Sequence, residues 1–586
     1  MERQLGRSLL RLHSARTRAS LANWPALERT ALRQVSQRHE SSPSVNSERH
    51  SRSEWIGVAA GVVGLTLLGS ALNITSASNE PRNQPPTEDK SLATDELTKS
   101  MISMDEVAKH STPEQGLWVV IGGNVYDVTD FIDKHPGGRN VILKNAGKDV
   151  TAIYEPVHPP TAIDDNLTDS QKLGLVDPKT VKVEQKELTD AEKRRKEALA
   201  NLPAVGTVLS LDDFERIAKD LLTEQAWAYY SSAGDDEITY YNNRQAFSRI
   251  WFRPRVLRKV GEVDTSTRIL ANTEGASKSK AINVTLPIYI SPAAMAKLGH
   301  PDGELNLTRA AGANGIMQGI SANASVGLDE MLDARQPGQP VFYQLYVNRD
   351  RAASERILHK IEEKGVNAVF LTVDAPVMGK REKDMRAKGE AVETGGGVCD
   401  KAGEGLGVAA AISGYIDPNV CWEDIAWYRK TCKLPLYLKG IQCVEDAELA
   451  AAHGVDGIVL SNHGGRSLEF SPAPIDVLIE LQQRKPELFN KLEVFVDGGI
   501  RRGTDVLKAR ALGAKAVGLG RPFLYAQSGF GEAGASRAIQ IMVDEVQRGM
   551  RLLGVTSLDQ LTPDMIDILP RTYHPPPRPA EPHAEL

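Results

Sequence analysis

The chain has 586 residues, more than one hydrophobic core usually serves, so two or more folded units and some unstructured stretches are expected. Its 41% hydrophobic and 25% charged residues are those of a globular protein, and a net charge of −6 gives no basic field for a nucleic acid. The four cysteines (Cys399, Cys421, Cys432, Cys443) form no C-x-x-C pair and no C-x-x-C-H, which excludes a zinc ribbon and covalent haem attachment.

Residues 1–52 hold ten arginines, four glutamates and no lysine, the composition of a mitochondrial presequence, here assigned to 1–54. The run at 55–78, WIGVAAGVVGLTLLGSALNITSAS, carries no charge and is long enough to cross a bilayer. A basic presequence before an apolar stop predicts delivery to the mitochondrial intermembrane space, with 55–78 as a cleaved sorting signal or an inner-membrane anchor. Residues 79–100 are polar and Pro-containing and read as a linker.

Residues 101–177 form the first expected fold. LWVVIGGNVYDVTDFI alternates apolar and polar positions about a Gly-Gly-Asn turn, which predicts a β-hairpin and a helix start at Thr129 or Asp130. His135 follows in HPGG, then the helical pattern NVILKNAGKDVTAIY, then His158 in EPVHPP, 23 residues after His135. Two loop histidines flanking an apolar helical hairpin can clamp an iron from both faces. Without cysteine attachment the group is haem b, and with both axial positions filled its task is electron transfer. WVVIGGNVYDVTDFIDKHPGG and AGKDVTAIYEPVHP resemble the cytochrome b5 fold. Residues 178–205 are charged and poor in aromatics and read as a hinge.

In residues 206–570, eight strand-like runs alternate with helical patterns: PIYIS, GIMQGI, VFYQLYV, AVFLTV, LPLYLK, GIVLS, VFVDG and AVGLG. This predicts an α/β fold, a parallel (β/α)8 TIM barrel behind the small α+β haem domain. Every run ends in polar residues or glycine: Ser291, Ser321, Gln344 with Tyr346, Thr372 with Asp374, Lys439, Ser461 with His463, Asp497, and Gly520 with Arg521. Barrel active sites are built at such ends. DGGIRRGTD and GLGRP, with Arg501, Arg502 and Arg521, read as a phosphate cradle at two helix N-termini. In SNHGGR, Arg466 can hold a carboxylate while His463 removes a proton, with Asp374 as partner of the imidazolium. Lys439 suits the anionic edge of a reduced flavin.

QAWAYYSSAGDDE, SPAAMAKLGHP, YQLYVNRDR, LTVDAPVMGKREKDMR, LSNHGGR and FVDGGIRRGTDVLKA occur in order and resemble the FMN-dependent 2-hydroxy-acid oxidising family. The likeness is nearer to its fungal branch with a cytochrome b5-like domain, the L-lactate cytochrome c oxidoreductases. It implies His463 as catalytic base paired with Asp374, and Tyr229, Arg381 and Arg466 on the substrate carboxylate. Tyr346 is implied on the substrate hydroxyl. Ala294, Ser321, Gln344, Thr372, Lys439, Asp497, Gly499, Arg501, Gly520 and Arg521 are implied on FMN. It further implies oxidation of L-lactate, cytochrome c as acceptor and a homotetramer. Two other readings stay open here: an oxidase returning electrons to oxygen, and a haem carrier with a dead barrel. Asn323 departs from the pattern, standing where the lactate-specific enzymes have leucine and glycolate oxidases tryptophan. A mobile loop is expected at 387–413 and an extended tail at 571–586.

Overall fold

The computed structural model describes residues 101–135, 139–158, 162–181, 188–271, 281–388 and 414–572. The presequence, the apolar segment 55–78, the linker 79–100, Pro136 to Gly138, the loop from 389 to 413 and the tail from 573 lie outside the described residues.

In the N-terminal domain the expected hairpin pairs Gly116–Ile121 with Asn124–Asp127 in antiparallel register, Trp118 opposite Asp127 and Ile121 opposite Asn124. Three short strands (Ser111–Thr112, Lys148–Asp149, Lys172–Leu175) complete a five-stranded sheet. Its two faces follow the two-residue period. Leu117, Val119 and Ile121 join one apolar cluster, with Tyr126, Val128, Ile132 and Ile142, while Trp118 and Val120 join the other, with Val107, Val125 and Val176.

The helical segment expected over 140–154 is present as two helices, Arg139–Asn145 and Thr151–Tyr154. Between them Gly147 adopts φ +79° and its N–H donates to Trp118 O at 2.7 Å, so the sheet captures the segment and ends the helix. The hinge stretch contains a helix, Asp190–Ala200, opened by a Thr189/Glu192 capping box, and Arg195 Nε donates to Leu221 O.

The eight expected strands are present as Ile288–Ile290, Met317–Ser321, Val341–Leu345, Ala368–Thr372, Leu436–Ile441, Gly457–Leu460, Glu493–Asp497 and Ala516–Leu519. Each runs parallel to the next, and the eighth pairs with the first through Val517 and Ile288, closing the barrel. The strands are buried along their whole length, as the continuous apolar runs require when helices cover a parallel sheet. One side chain from each strand (Tyr289, Met317, Phe342, Phe370, Tyr437, Val459, Phe495, Ala516) fills the interior. The barrel is therefore plugged below, and chemistry has room only at its upper, C-terminal rim.

Candidate active site

A cavity of about 540 Å³ opens at that rim. It is lined by Tyr229, Ala294, Ser321, Gln344, Tyr346, Thr372, Arg381, Lys439, His463, Arg466, Asp497, Gly499, Arg501, Gly520 and Arg521, residues that the sequence offered one at a time. Tyr229 comes from a helix ahead of the barrel, Glu224–Ser231. Asp374 does not line the cavity; it stands behind His463, with its side chain fully buried.

His463 is held from two sides. Its Nδ1 is 2.9 Å from Asp374 Oδ1 and its Nε2 is 3.4 Å from the Tyr346 hydroxyl. The backbone there is left-handed over three residues, φ +58° at His463, +64° at Gly464 and +80° at Gly465. A non-glycine residue in that region is strained and persists only where its surroundings hold it. Here the His463 N–H donates to Ser461 Oγ, and Asn462 forms reciprocal side-chain hydrogen bonds with Asn243, at 2.7 and 2.8 Å.

Burial pushes Asp374 up, but the charges of His463 and Lys439 bring the carboxyl to a net value below the ordinary one. Asp374 fits only because residue 440 is glycine: at φ +115°, a Cβ there would lie 2.5 Å from Asp374 Cβ. Strand register shifts between Lys439 and Ile441 at the same point. Burial and the Asp374 charge hold the Tyr346 phenol well above its usual range, so it stays a hydrogen-bond donor.

Three guanidinium groups face the same space. Arg381 and Arg466 lie over the Tyr229 ring at 5.2 and 5.7 Å, and Arg381 Nη2 is buried without a hydrogen-bond partner. Burial first, then the charges of Arg521 and Arg381, lowers Arg466 to about 9. A buried cationic cluster of this kind is stabilised by an incoming anion. Arg466 Nε and Nη2 donate to the carbonyls of Ser232, Tyr229 and Tyr230, which fixes the group's orientation.

On the cofactor side, Lys439 Nζ lies 3.7 Å from Asp497 Oδ2, and Gln344 Nε2 donates to Thr372 Oγ1 at 3.0 Å. Ser291 Oγ, Asp497 Oδ1 and Arg501 Nη1 belong to cavity-lining residues and are buried without hydrogen-bond partners. Orphaned donors and acceptors around a cavity of this size suit a polar ring system carrying a phosphate, and the donor set fits FMN.

The cradle differs in detail from the expectation. Arg501 pairs with Glu215 at 3.0 Å, Arg502 pairs with Glu545 at 2.8 Å, and Arg521 donates to the carbonyls of Tyr230, Ser232 and Gly464. Gly499 is required by packing as well, since a Cβ there would meet Asn243 O at 2.2 Å.

In the N-terminal domain, the His135 and His158 rings are 6.0 Å apart between centroids. That spacing accommodates one metal ion between them, with imidazole bonds of about 2 Å on each side. His158 Nδ1 meets Tyr154 O at 3.0 Å, leaving Nε2 for the metal, and the Tyr154 ring stacks on it at 4.0 Å. Burial holds His158 below the usual imidazole value, so the ring is neutral, as a ligand must be. Among the described residues no group of three or more His, Cys, Asp or Glu could hold a metal ion.

Asn462, Gly440 and Tyr415, whose hydroxyl donates to Asn323 Oδ1 at 3.0 Å, escaped the sequence reading. Asn462 stands inside SNHGGR, but its partner Asn243 is 219 residues away.

Residues 218–568 match the FMN-dependent dehydrogenase family and residues 103–208 the cytochrome b5-like heme/steroid binding domain. An L-lactate dehydrogenase (cytochrome) of Wickerhamomyces anomalus is 46% identical over 465 residues, covering 79% of each chain. That of Saccharomyces cerevisiae is 47% identical over 493 residues, covering 81% of this chain and 80% of the yeast protein. A solved flavocytochrome b2 variant with pyruvate bound is 45% identical, with TM-score 0.59, covering 67% of this chain and 95% of that one. The chain belongs to the FMN-dependent dehydrogenase family and carries a cytochrome b5-like haem-binding domain ahead of its barrel.

Proposed function

We propose that this protein oxidises an L-2-hydroxy acid, L-lactate to pyruvate, at FMN and relays the electrons through its own haem b to cytochrome c. The observation that carries the reading is His463, fixed between buried Asp374 and Tyr346 on the wall of the cavity that Arg381 and Arg466 also line.

Arg381 and Arg466, with Tyr229 between them, receive the substrate carboxylate, the Arg381 Nη2 donor being unmatched within the protein. The protonated Tyr346 phenol holds the C2 oxygen. His463 Nε2 takes the proton released as C2 is oxidised, and the Asp374 carboxylate opposes the resulting imidazolium charge. FMN supplies the two-electron acceptor and can return electrons singly. Ala294, Ser321, Gln344, Thr372, Lys439, Asp497, Gly499, Arg501, Gly520 and Arg521 would hold it, Arg501 with an Nη1 donor that is unmatched within the protein. His135 and His158 would hold the haem, which would supply one-electron transfer.

The Arg-rich N-terminus and the uncharged segment 55–78 support residence in the mitochondrial intermembrane space, with 55–78 as a sorting signal or an inner-membrane anchor. No helix among the described residues is long and apolar enough to cross a membrane, and 55–78 lies outside them. A homotetramer completes the proposal. Mixing the holoenzyme with L-lactate in a stopped-flow spectrometer should bleach the flavin band and then reduce the haem. A haem that stays oxidised beside reduced flavin would overturn the relay and favour an oxidase.

A further inference from the structure

Among the polar residues that line the cavity, Asn323 has no task assigned above. Asn323 lines the cavity on the loop after the second barrel strand, together with the apolar Ala375 and Met378. Its backbone N–H donates to Ser321 Oγ at 3.1 Å, which fixes the loop. Its Oδ1 accepts the Tyr415 hydroxyl at 3.0 Å, and its Nδ2 makes no hydrogen bond among the described residues. Tyr415 packs in one apolar cluster with Tyr346, Ala375, Ile416 and Met378, so the amide is braced from the side of the cavity where the C2 oxygen is held.

Burial pushes the Tyr415 phenol up to about 12, so it keeps the proton that it donates to Asn323 Oδ1. The oxygen end of the amide is thereby engaged, and the unmatched N–H donors belong to a side chain on the cavity wall. A site with a positioned donor favours a ligand that satisfies it over an isostere that leaves it unpaired.

We propose that Asn323, braced by Tyr415, donates a hydrogen bond to an oxygen on C3 of the substrate, so that the protein prefers L-2-hydroxy acids with a polar C3 substituent to their alkyl isosteres. The inference rests on the 2-hydroxy-acid reading of the site and deepens it by naming the side-chain chemistry.

L-Glycerate and L-2-hydroxybutyrate differ by a hydroxyl against a methyl on C3 and are otherwise alike in size. Flavin reduction by each, followed in the holoenzyme by stopped flow, gives a ratio of kcat/KM values from which any general effect of a substitution on the site cancels. The wild type should favour L-glycerate by about tenfold, the discrimination of one hydrogen bond. Asn323→Leu should lower the ratio about tenfold, and Tyr415→Phe, which releases the brace and keeps the amide, about threefold in the same direction. Should Asn323→Leu lose flavin reduction with every acid, Asn323→Ala carries the same comparison. A wild type that prefers L-2-hydroxybutyrate, or a ratio unchanged within about twofold in the variants, would overturn the role of Asn323. A wild type whose flavin is reduced by none of these acids nor by L-lactate would overturn the site reading together with it.

Discussion

In the N-terminal domain two histidines 23 residues apart are brought within 6.0 Å by the short elements between them. The cavity of the barrel instead draws side chains from loops and strand ends from Ser291 onward and from the segment ahead of the barrel that carries Tyr229. The first arrangement needs one turn and two short helices to be right. The second needs eight strands to close in register before His463, Tyr346 and Arg381 share a space. A local site is therefore separable from the rest of the molecule, and a convergent one is not.

The sharpest test of the convergent site is His463→Gln. Flavin reduction by L-lactate should fall by about 10³-fold or more, the scale of a lost general base. The flavin absorbance should be retained, and a chemical reductant should still reduce the haem. Retained turnover would remove His463 from the base role.

The local site can be tested for independence with His158→Ala. Haem b should be lost from the purified protein, and cytochrome c reduction should fall at least about 100-fold. Flavin reduction by L-lactate should stay within about threefold of the wild type, because nothing in the barrel cavity is contributed by His158. Equal losses of both activities would mean that the two sites are not separable.

A smaller effect concerns what holds His463 and Asp374 together. Asp374 has its folded value lowered, so its ionised pairing contributes stability above the ordinary carboxylate value and loses it as pH falls through the depressed one. Asp374→Asn should be less stable than the wild type by about 1.5 kcal/mol near neutrality, as for a hydrogen bond to a charged group. That gap should close below about pH 4. Thermal melts across pH measure it, and a gap that widens on acidification would contradict the assignment.

Much of this was legible along the chain. The strands appear where the apolar runs stand because a strand buried on both faces has to be apolar throughout. The polar residue closing each run marks the rim, since the interior below is plugged by Tyr289, Phe342, Phe370, Tyr437 and Phe495. The helical pattern at 140–154 does not show where its two helices divide, because helix period says nothing of a sheet that captures Gly147 midway. The cluster of arginines and glycines was legible, but not the acids beside it: Glu215 and Glu545 reach Arg501 and Arg502 from distant helices.

What the sequence by itself determined is the inventory: two histidines without cysteines, eight buried runs, and the residue types that anchor an anion and move a proton. Those follow from composition and period, which are properties of neighbours along the chain. Tertiary structure alone decided that Asp374 stands behind His463 in the space left by Gly440, and that Tyr415 turns the Asn323 amide. Such pairings depend on distances of a few ångströms between residues far apart in sequence, and only closure of the barrel sets them.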